Sequence, residues 1–522
     1  MSDFLIGQSY YLRFDPKLWA AMQPYPPLGA LYVASVLRSK GYSVAFFDAM
    51  LAENESEWTV SLELNRPKIA VLYEDNFNYL TKMCLFRMRE AAVKMIKSAR
   101  ERGCIVVIGG SDATDHAPLY LDAGANFVLI GEGEETLVEL AAMLIDRVEI
   151  QLKSIVGLAY NSDGKVKINP RRPDIRNLDR LPFPAWDLIA MERYREIWKA
   201  RHGYYSINLS TTRGCPYHCN WCAKPIWGQR YNVRSPENVV AEIKWLKNAY
   251  HPDHIWFTDD IFGLKPGWLE RFAELTNSEQ LKVPYKCLNR ADLILRPGEI
   301  DALKESGCQI VWIGAESGSQ KILDAMEKGT RVEQIYQAAR RLHDSGIQVG
   351  FFLQFGYPGE NREDIEKTIQ MVRDCEPDDI GISVSYPLPG TPFFERVRSE
   401  LGEKHNWVDS NDLAMLYKGP YPTRFYRQLH RMVHREFRII KQRNQIYMDW
   451  RYPSLLKPNR YRIVRQVIRK KLDQLSLPID RFYLTLLERL PHQGLNSISH
   501  QLSPEDAAQP THAEHQGPFF DN

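Results

Sequence analysis

Three cysteines, Cys215, Cys219 and Cys222, fall within eight residues of the stretch TTRGCPYHCNWCAKPIWGQRY, residues 211–231. Thiolates this close together can wrap one inorganic centre, and soft sulfur ligands select zinc or an iron–sulfur cluster. A structural zinc site closes a tetrahedron, usually with two C-x2-C pairs. Here the spacing is C-x3-C-x2-C and no fourth cysteine follows. His218 adjoins Cys219 directly, where the chain can hardly turn both side chains onto one metal. A 4Fe-4S cluster held by three thiolates leaves one iron without a protein ligand, open to a reactant as a catalytic zinc site keeps one position open.

The elements around this loop form a regular alternation. From about residue 203, strand candidates YSINLSTT, HIWFTDD, YKCLNRAD, QIVWIGAE, VGFFLQFG and DIGISVSY alternate with helix-period segments, one opened by the cap pair Ser235-Pro236. Six strand–helix repeats are fewer than the eight of a closed TIM barrel, so the pattern predicts a partial (β/α)6 barrel over 203–400 with its chemistry at the carboxyl ends of the strands. The cysteine loop follows the first of those strands.

Residues 1–145 show a separate alternation: SVAFFDA, KIAVLYED, a helix through EAAVKMIKSARERG, then CIVVIGG and NFVLIGEG. This predicts a doubly wound, Rossmann-like α/β domain on a parallel sheet, with its ligand site at the strand ends. Gly109, Gly110 and Ser111 follow one strand, and Gly131, Glu132, Gly133 and Glu134 another. Neither run has the G-x-G-x-x-G spacing of a dinucleotide site. Residues 146–202 are a linker with a hairpin turning at Asp163-Gly164, followed by the Pro-rich PRRPDIRNLDRLPFPAW. Residues 401–500 form a basic helical region, with Arg424–Lys471 dense in Lys and Arg interleaved with aromatics. Such a face is a solvated surface or meets an anionic partner. Residues 501–522 have the composition of a disordered tail.

The chain as a whole, at 522 residues, 44% hydrophobic, 25% charged and a net charge of +2, is an ordinary globular protein whose overall charge names no partner. It carries neither a secretory signal nor an apolar run long enough to span a membrane, and the expected location is the cytoplasm. Cys84, Cys104, Cys287, Cys308 and Cys375 stand singly in apolar surroundings and are expected in the core.

With the motif following the first barrel strand and Trp221 preceding its last cysteine, the chain resembles the radical S-adenosylmethionine superfamily. The resemblance implies a 4Fe-4S cluster on Cys215, Cys219 and Cys222. Its open iron is chelated by S-adenosylmethionine, which one-electron reduction cleaves to a 5′-deoxyadenosyl radical. It also implies cosubstrate contacts from Thr258, Asp259 and Asp260, which depart from the usual Gly-Gly-Glu, from Glu316 in WIGAESGS, and from Gln354, Gly356 and Pro358 in QFGYPGE. The first domain resembles the cobalamin-binding domain of one large subgroup, which implicates Gly109, Gly110, Ser111, Gly131, Glu132 and Gly133 in holding cobalamin. The D-x-H-x-x-G signature is absent and His116, directly after Asp115, does not fit it, so no axial histidine from that motif is expected.

The resemblance implies an enzyme that functionalises an unactivated carbon, foremost by C-methylation. An oxidative cyclisation of the magnesium-protoporphyrin cyclase type is the alternative within the subgroup. A non-radical electron-transfer protein would want every iron ligated by protein. An RNA methylthiotransferase would carry additional cysteines in its first domain, so nucleic acid is not the expected partner. The expected partners are a small-molecule or lipid-like substrate and a flavodoxin or ferredoxin reductant.

Overall fold

The computed structural model describes residues 2–78, 85–222, 226–451 and 460–489, with backbone alone over 442–451 and 460–467. Two sheets organise it, the first mostly and the second wholly parallel. The first has seven strands: β1 (Phe4–Gly7), β2 (Val44–Phe46), β3 (Ile69–Tyr73), β4 (Ile105–Gly109), β5 (Phe127–Leu129), β6 (Leu158–Ser162) and β7 (Lys165–Ile168), in the order β2-β1-β3-β4-β5-β6-β7. The five strands β1 to β5 are parallel and continuously apolar, as strands covered by helices on both faces must be. Strand order reverses between β1 and β3, so the crevice for a ligand opens beyond Gly7 and Tyr73.

The residue pattern anticipates β2 to β5 but not β1, a four-residue strand at the start of the chain with no turn signal before it. It also treats the 158–168 hairpin as part of a linker. In the structure β6 pairs antiparallel with β5 through Phe127–Tyr160 and Leu129–Leu158, so the hairpin extends the first sheet. Its turn is the expected one, with Asp163 and Gly164 both at positive φ, 52° and 73°.

The second sheet holds β8 (Ser206–Leu209), β11 (His254–Phe257), β12 (Tyr285–Asn289), β13 (Cys308–Glu316), β14 (Gln348–Phe355) and β15 (Asp379–Val384), all parallel, with β8 and β15 at open edges. Between β8 and β11 a small antiparallel pair, β9 (Thr212–Arg213) and β10 (Asn232–Val233), closes the base of the cysteine loop. These six strands are the six expected of the partial barrel. Alternate residues divide: Ile255, Phe257, Cys287, Val311, Ile313, Phe351 and Ile382 enter one core with the surrounding helices, while Trp256, Lys286, Trp312 and Phe352 face the concave side. The helix Pro236–Tyr250 starts where the cap pair predicts, Ser235 Oγ accepting from Asn238 N at 3.1 Å with Pro236 in the first turn.

Cys104, Cys287, Cys308 and Cys375 are buried as core residues, and Cys84 lies outside the described residues, as does the 501–522 tail. Two long helices, Thr423–Arg451 and Arg460–Glu488, make up most of the C-terminal region and pack on each other. No described helix is long and apolar enough to cross a membrane.

Candidate functional site

The cysteine loop is held at its base by Asp259. Its buried carboxylate accepts Thr211 N at 2.8 Å, Thr212 N at 2.7 Å, and the hydroxyls of Thr211 and Thr212 at 2.7 and 2.9 Å. Burial pushes its pKa up, and these donors oppose the shift. Asp259 thus spends its oxygens on the chain entering the loop. Thr258, beside it, donates its N–H to Leu209 O at 2.9 Å, and Asp260 is only half-buried.

Asn220, inside the motif, pins the loop's far side. Its Nδ2 donates to Ala325 O at 2.9 Å and Glu327 Oε1 at 3.1 Å, its N–H to Met326 O at 3.1 Å, and its Oδ1 accepts the Tyr357 hydroxyl at 2.7 Å. Tyr357 belongs to QFGYPGE, so this segment meets the cysteine loop directly. Gln354 donates to Ser385 Oγ at 3.0 Å, Gly356 adopts φ +84° and donates to Glu360 at 2.7 Å, and Pro358 is half-buried at the turn that follows. A side chain at Gly356 would strike Met415 and Tyr426, which bring the C-terminal region over this end of the barrel.

Cations gather near the thiols. Lys328 Nζ donates to Glu316 Oε1 at 2.9 Å, both side chains buried, and lies close enough to Cys219 to feel its charge. Together Glu316 and Cys219 raise the Lys328 pKa against desolvation, so the ammonium stays protonated. Glu316 sits at φ +57°, a strained conformation for a residue with a side chain, at the irregularity where β13 and β14 shift register. Gly314 leaves the space the pair fills, since a Cβ there would lie 2.7 Å from Lys328 Nζ and 2.8 Å from Glu316 Oε1. The Arg290 guanidinium stacks 3.7 Å from the ring centre of Tyr217, which lies between the first two cysteines. Lys328 and Gly314 carry no sequence signal; Arg290 is legible only as the residue after a strand.

The first domain reaches the same loop through Arg213. Its NH1 bonds Glu132 Oε1 at 2.8 Å and its NH2 Glu134 Oε1 at 2.8 Å, with all three side chains buried. Tyr32, Phe77 and Trp227 surround the guanidinium. Glu132 also accepts Ile175 N at 2.5 Å, so its oxygens are committed to protein partners. The glycines beside it serve packing. A Cβ on Gly110 would meet Glu74 at 2.6 Å, one on Gly133 Leu129 and Tyr73 at 2.8 Å, one on Gly131 Arg171 at 3.0 Å, and one on Gly109 Leu129 and Tyr73 at 3.2 Å. Ser111 donates to Asn76 at 3.2 Å.

The residues fit the implied groups in chemistry. Three thiols stand on one loop, near the cations Lys328 and Arg290. Among the described residues no three His, Cys, Asp or Glu side chains stand together as the ligand set of a single metal ion. At the crevice of the first sheet, Ser9 Oγ and the Tyr10 hydroxyl are buried without a partner among the described residues. A cavity of about 100 Å³ lies between Asp112, Asp115 and His116 of the first domain and Tyr386 to Pro389 of the barrel. His116 pairs with Asp112 at 3.0 Å, which raises its pKa.

Comparison with known proteins agrees with this arrangement. Residues 209–372 match the family model described as the radical SAM superfamily, and 20–141 that of the B12 binding domain. An uncharacterised methyltransferase of Pyrococcus horikoshii is 30% identical over 387 residues, covering 73% of this chain and 81% of the relative. The anaerobic magnesium-protoporphyrin IX monomethyl ester cyclase of Rubrivivax gelatinosus is 28% identical over 394 residues, covering 74% and 69%. Among solved structures, the methyltransferase TsrM of Kitasatospora setae, with cobalamin and a [4Fe-4S] cluster bound, matches with TM-score 0.62 at 19% identity over 76% of this chain and 75% of its own. OxsB, a cobalamin-dependent S-adenosylmethionine radical enzyme, matches with TM-score 0.65 at 18% identity over 94% and 76%. These two share the fold. With its cysteine loop, its cobalamin-type domain and a relative at 30% identity along most of both chains, this protein belongs to the cobalamin-binding radical S-adenosylmethionine enzymes, whose cofactors are a 4Fe-4S cluster, S-adenosylmethionine and cobalamin.

Proposed function

We propose that this enzyme transfers a methyl group from S-adenosylmethionine, by way of cobalamin, to an unactivated carbon of a small or lipid-like molecule held on the concave side of the barrel. The observation that carries this reading is Arg213, directly before Gly214-Cys215, whose ion pairs with Glu132 and Glu134 tie the cysteine loop to the β5 loop of the cobalamin-type domain. When bound, the cluster and S-adenosylmethionine supply a carbon radical that takes hydrogen from an inert C–H bond, and cobalamin supplies a methyl donor.

The chain's own residues position and shield. Cys215, Cys219 and Cys222 hold the cluster, Asp259 and Asn220 keep their loop in place, and Lys328 and Arg290 offer positive charge to the cosubstrate carboxylate. Thr258, Asp260, Gln354, Gly356 and Pro358 are the further proposed contacts of S-adenosylmethionine, and Glu316 orients Lys328. Gly109, Gly110, Ser111, Gly131 and Gly133 shape the strand ends that face cobalamin, with Ser9 and Tyr10 offering free polar atoms.

On the concave side Trp312 and Phe352 stack with ring centres 4.6 Å apart, and Lys286 Nζ lies 4.7 Å from the ring centre of Trp256. Burial lowers the Lys286 pKa to about 8. This wall suits an apolar or conjugated substrate with an anionic or carbonyl group. A ring-closing oxidation is the second reading, supported by the cyclase relative at 28% identity. Reduction by a flavodoxin or ferredoxin in the cytoplasm completes the proposal. Turnover with methyl-deuterated S-adenosylmethionine and a small-molecule extract tests it: one acceptor gains the deuterated methyl group, whereas a product that only loses hydrogen favours the cyclase.

A further inference from the structure

The helix Arg460–Glu488 has two faces with different surroundings. One is docked on the helix before it. Asp473 accepts from Arg435 at 3.2 Å and from Arg438 at 3.1 Å, Asp480 accepts from Gln428 at 2.9 Å and pairs with Arg435, and Arg481 reaches Glu436 at 3.3 Å. Leu484 and Leu487 are buried on this side. On the other face Ile468, Leu472, Leu475, Ile479, Phe482 and Leu486 are each 45% to 72% exposed. Their spacing alternates four and three residues, which gathers all six within a wedge of about 80° on a helix. The ion pairs fix the rotation of the helix and therefore hold the stripe outward. An apolar surface presented this way is an interaction surface.

Charge selects its partner. The run RYRIVRQVIRKK, 460–471, leads into the stripe with six Lys or Arg among twelve residues and no acid. Of the helix's three acids, Asp473 and Asp480 are turned inward and consumed by Arg435 and Arg438, and Glu488 stands half-buried at its last residue, beyond the stripe. Lys471, Ser476, Pro478, Tyr483 and Thr485, the positions that would flank a seam between two copies, hold no carboxylate, so a second copy brings Lys471 no ion-pair partner. An anionic bilayer offers both complements, acyl chains for the stripe and phosphates for a run rich in Lys and Arg.

We propose that this helix lies in the interface of a membrane containing anionic lipid and seats the enzyme on that surface peripherally. The experiment is co-sedimentation of the full-length reconstituted protein with vesicles of phosphatidylcholine alone and with vesicles containing about one third phosphatidylglycerol. Wild type is expected to pellet with the anionic vesicles only, and to be released by high salt. Leu475→Glu with Ile479→Glu, at exposed positions, is expected to lower binding about tenfold while iron content and Tm stay unchanged. Equal sedimentation of wild type and double variant overturns the proposal. So does a wild type that binds neither vesicle, and if that protein is dimeric by light scattering and the double variant monomeric, the stripe is a contact between copies.

Discussion

Arg213, the second residue before Cys215, is buried in a fork between Glu132 and Glu134 of the first domain, with one N–H···O bond of 2.8 Å to each. The cysteine loop and the Gly-rich loop of the cobalamin-type domain therefore share one desolvated charge network. Burial pushes the Glu132 pKa up, and the Arg213 charge opposes that shift.

Removing that cation strands two buried carboxylates. Arg213→Met is expected to cost about 3–5 kcal/mol, seen as a much lower Tm, while Glu132→Gln keeps a hydrogen-bond acceptor and costs less. Arg213→Lys, which cannot fork to both acids, is expected to fall between them and to lower cobalamin and iron retention together. Unchanged Tm in Arg213→Met would remove the ion pair from the account.

The Asn220 side chain makes three hydrogen bonds but belongs to one loop. Asn220→Ala is expected to destabilise that loop by about 1–3 kcal/mol and to accelerate iron loss, with little change in global unfolding. Iron release to a chelator followed over time measures this; release at the wild-type rate would show the clamp to be dispensable.

Glu360 accepts the Gly356 N–H at 2.7 Å, leaves its other oxygen buried with no partner among the described residues, and burial pushes its pKa up to about 8 from 4.5. A raised folded-state pKa means the native chain holds the proton longer than the unfolded one. This contribution is fully present below about pH 4.5 and is lost as pH rises toward about 8, with a slope of at most about 1.4 kcal/mol per pH unit. Glu360→Gln should flatten that part of the Tm-against-pH curve and stabilise the protein at alkaline pH. A curve of unchanged shape would contradict the assignment.

Gly350 lies beneath Trp312, where a Cβ would come within 2.4 Å of the ring. Gly350→Ala is expected to displace the Trp312–Phe352 stack at a cost of about 1–3 kcal/mol. If the concave side is the substrate site, turnover falls while bound iron and cobalamin stay constant; cofactor loss with preserved turnover would locate the substrate elsewhere.

Much of this architecture is legible in the sequence because it rests on periodicity. Six barrel strands and four of the first domain's five parallel strands show as apolar runs, and the Ser235-Pro236 cap and Asp163-Gly164 turn follow from local chemistry. The escaped features depend on long-range pairing. β1 is too short to show a period, and the 158–168 hairpin gives no hint that it pairs with β5. At the site, the sequence marks Asp259, Glu316 and Glu132 as strand-end acids, a correct placement that does not reveal their partners. Those partners, Thr211, Thr212, Lys328 and Arg213, come from 48, 47, 12 and 81 residues away, distances at which no local pattern operates.

The central claim is methyl transfer in addition to radical formation, and the two leave different co-products. S-adenosylmethionine that gives up its methyl group becomes S-adenosylhomocysteine, whereas reductive cleavage gives 5′-deoxyadenosine and methionine. The decisive measurement is the quantity of both nucleosides formed by the reduced, reconstituted enzyme with and without cobalamin. The account predicts both co-products, S-adenosylhomocysteine appearing only when cobalamin is bound. Formation of 5′-deoxyadenosine alone, whether or not cobalamin is present, would contradict it.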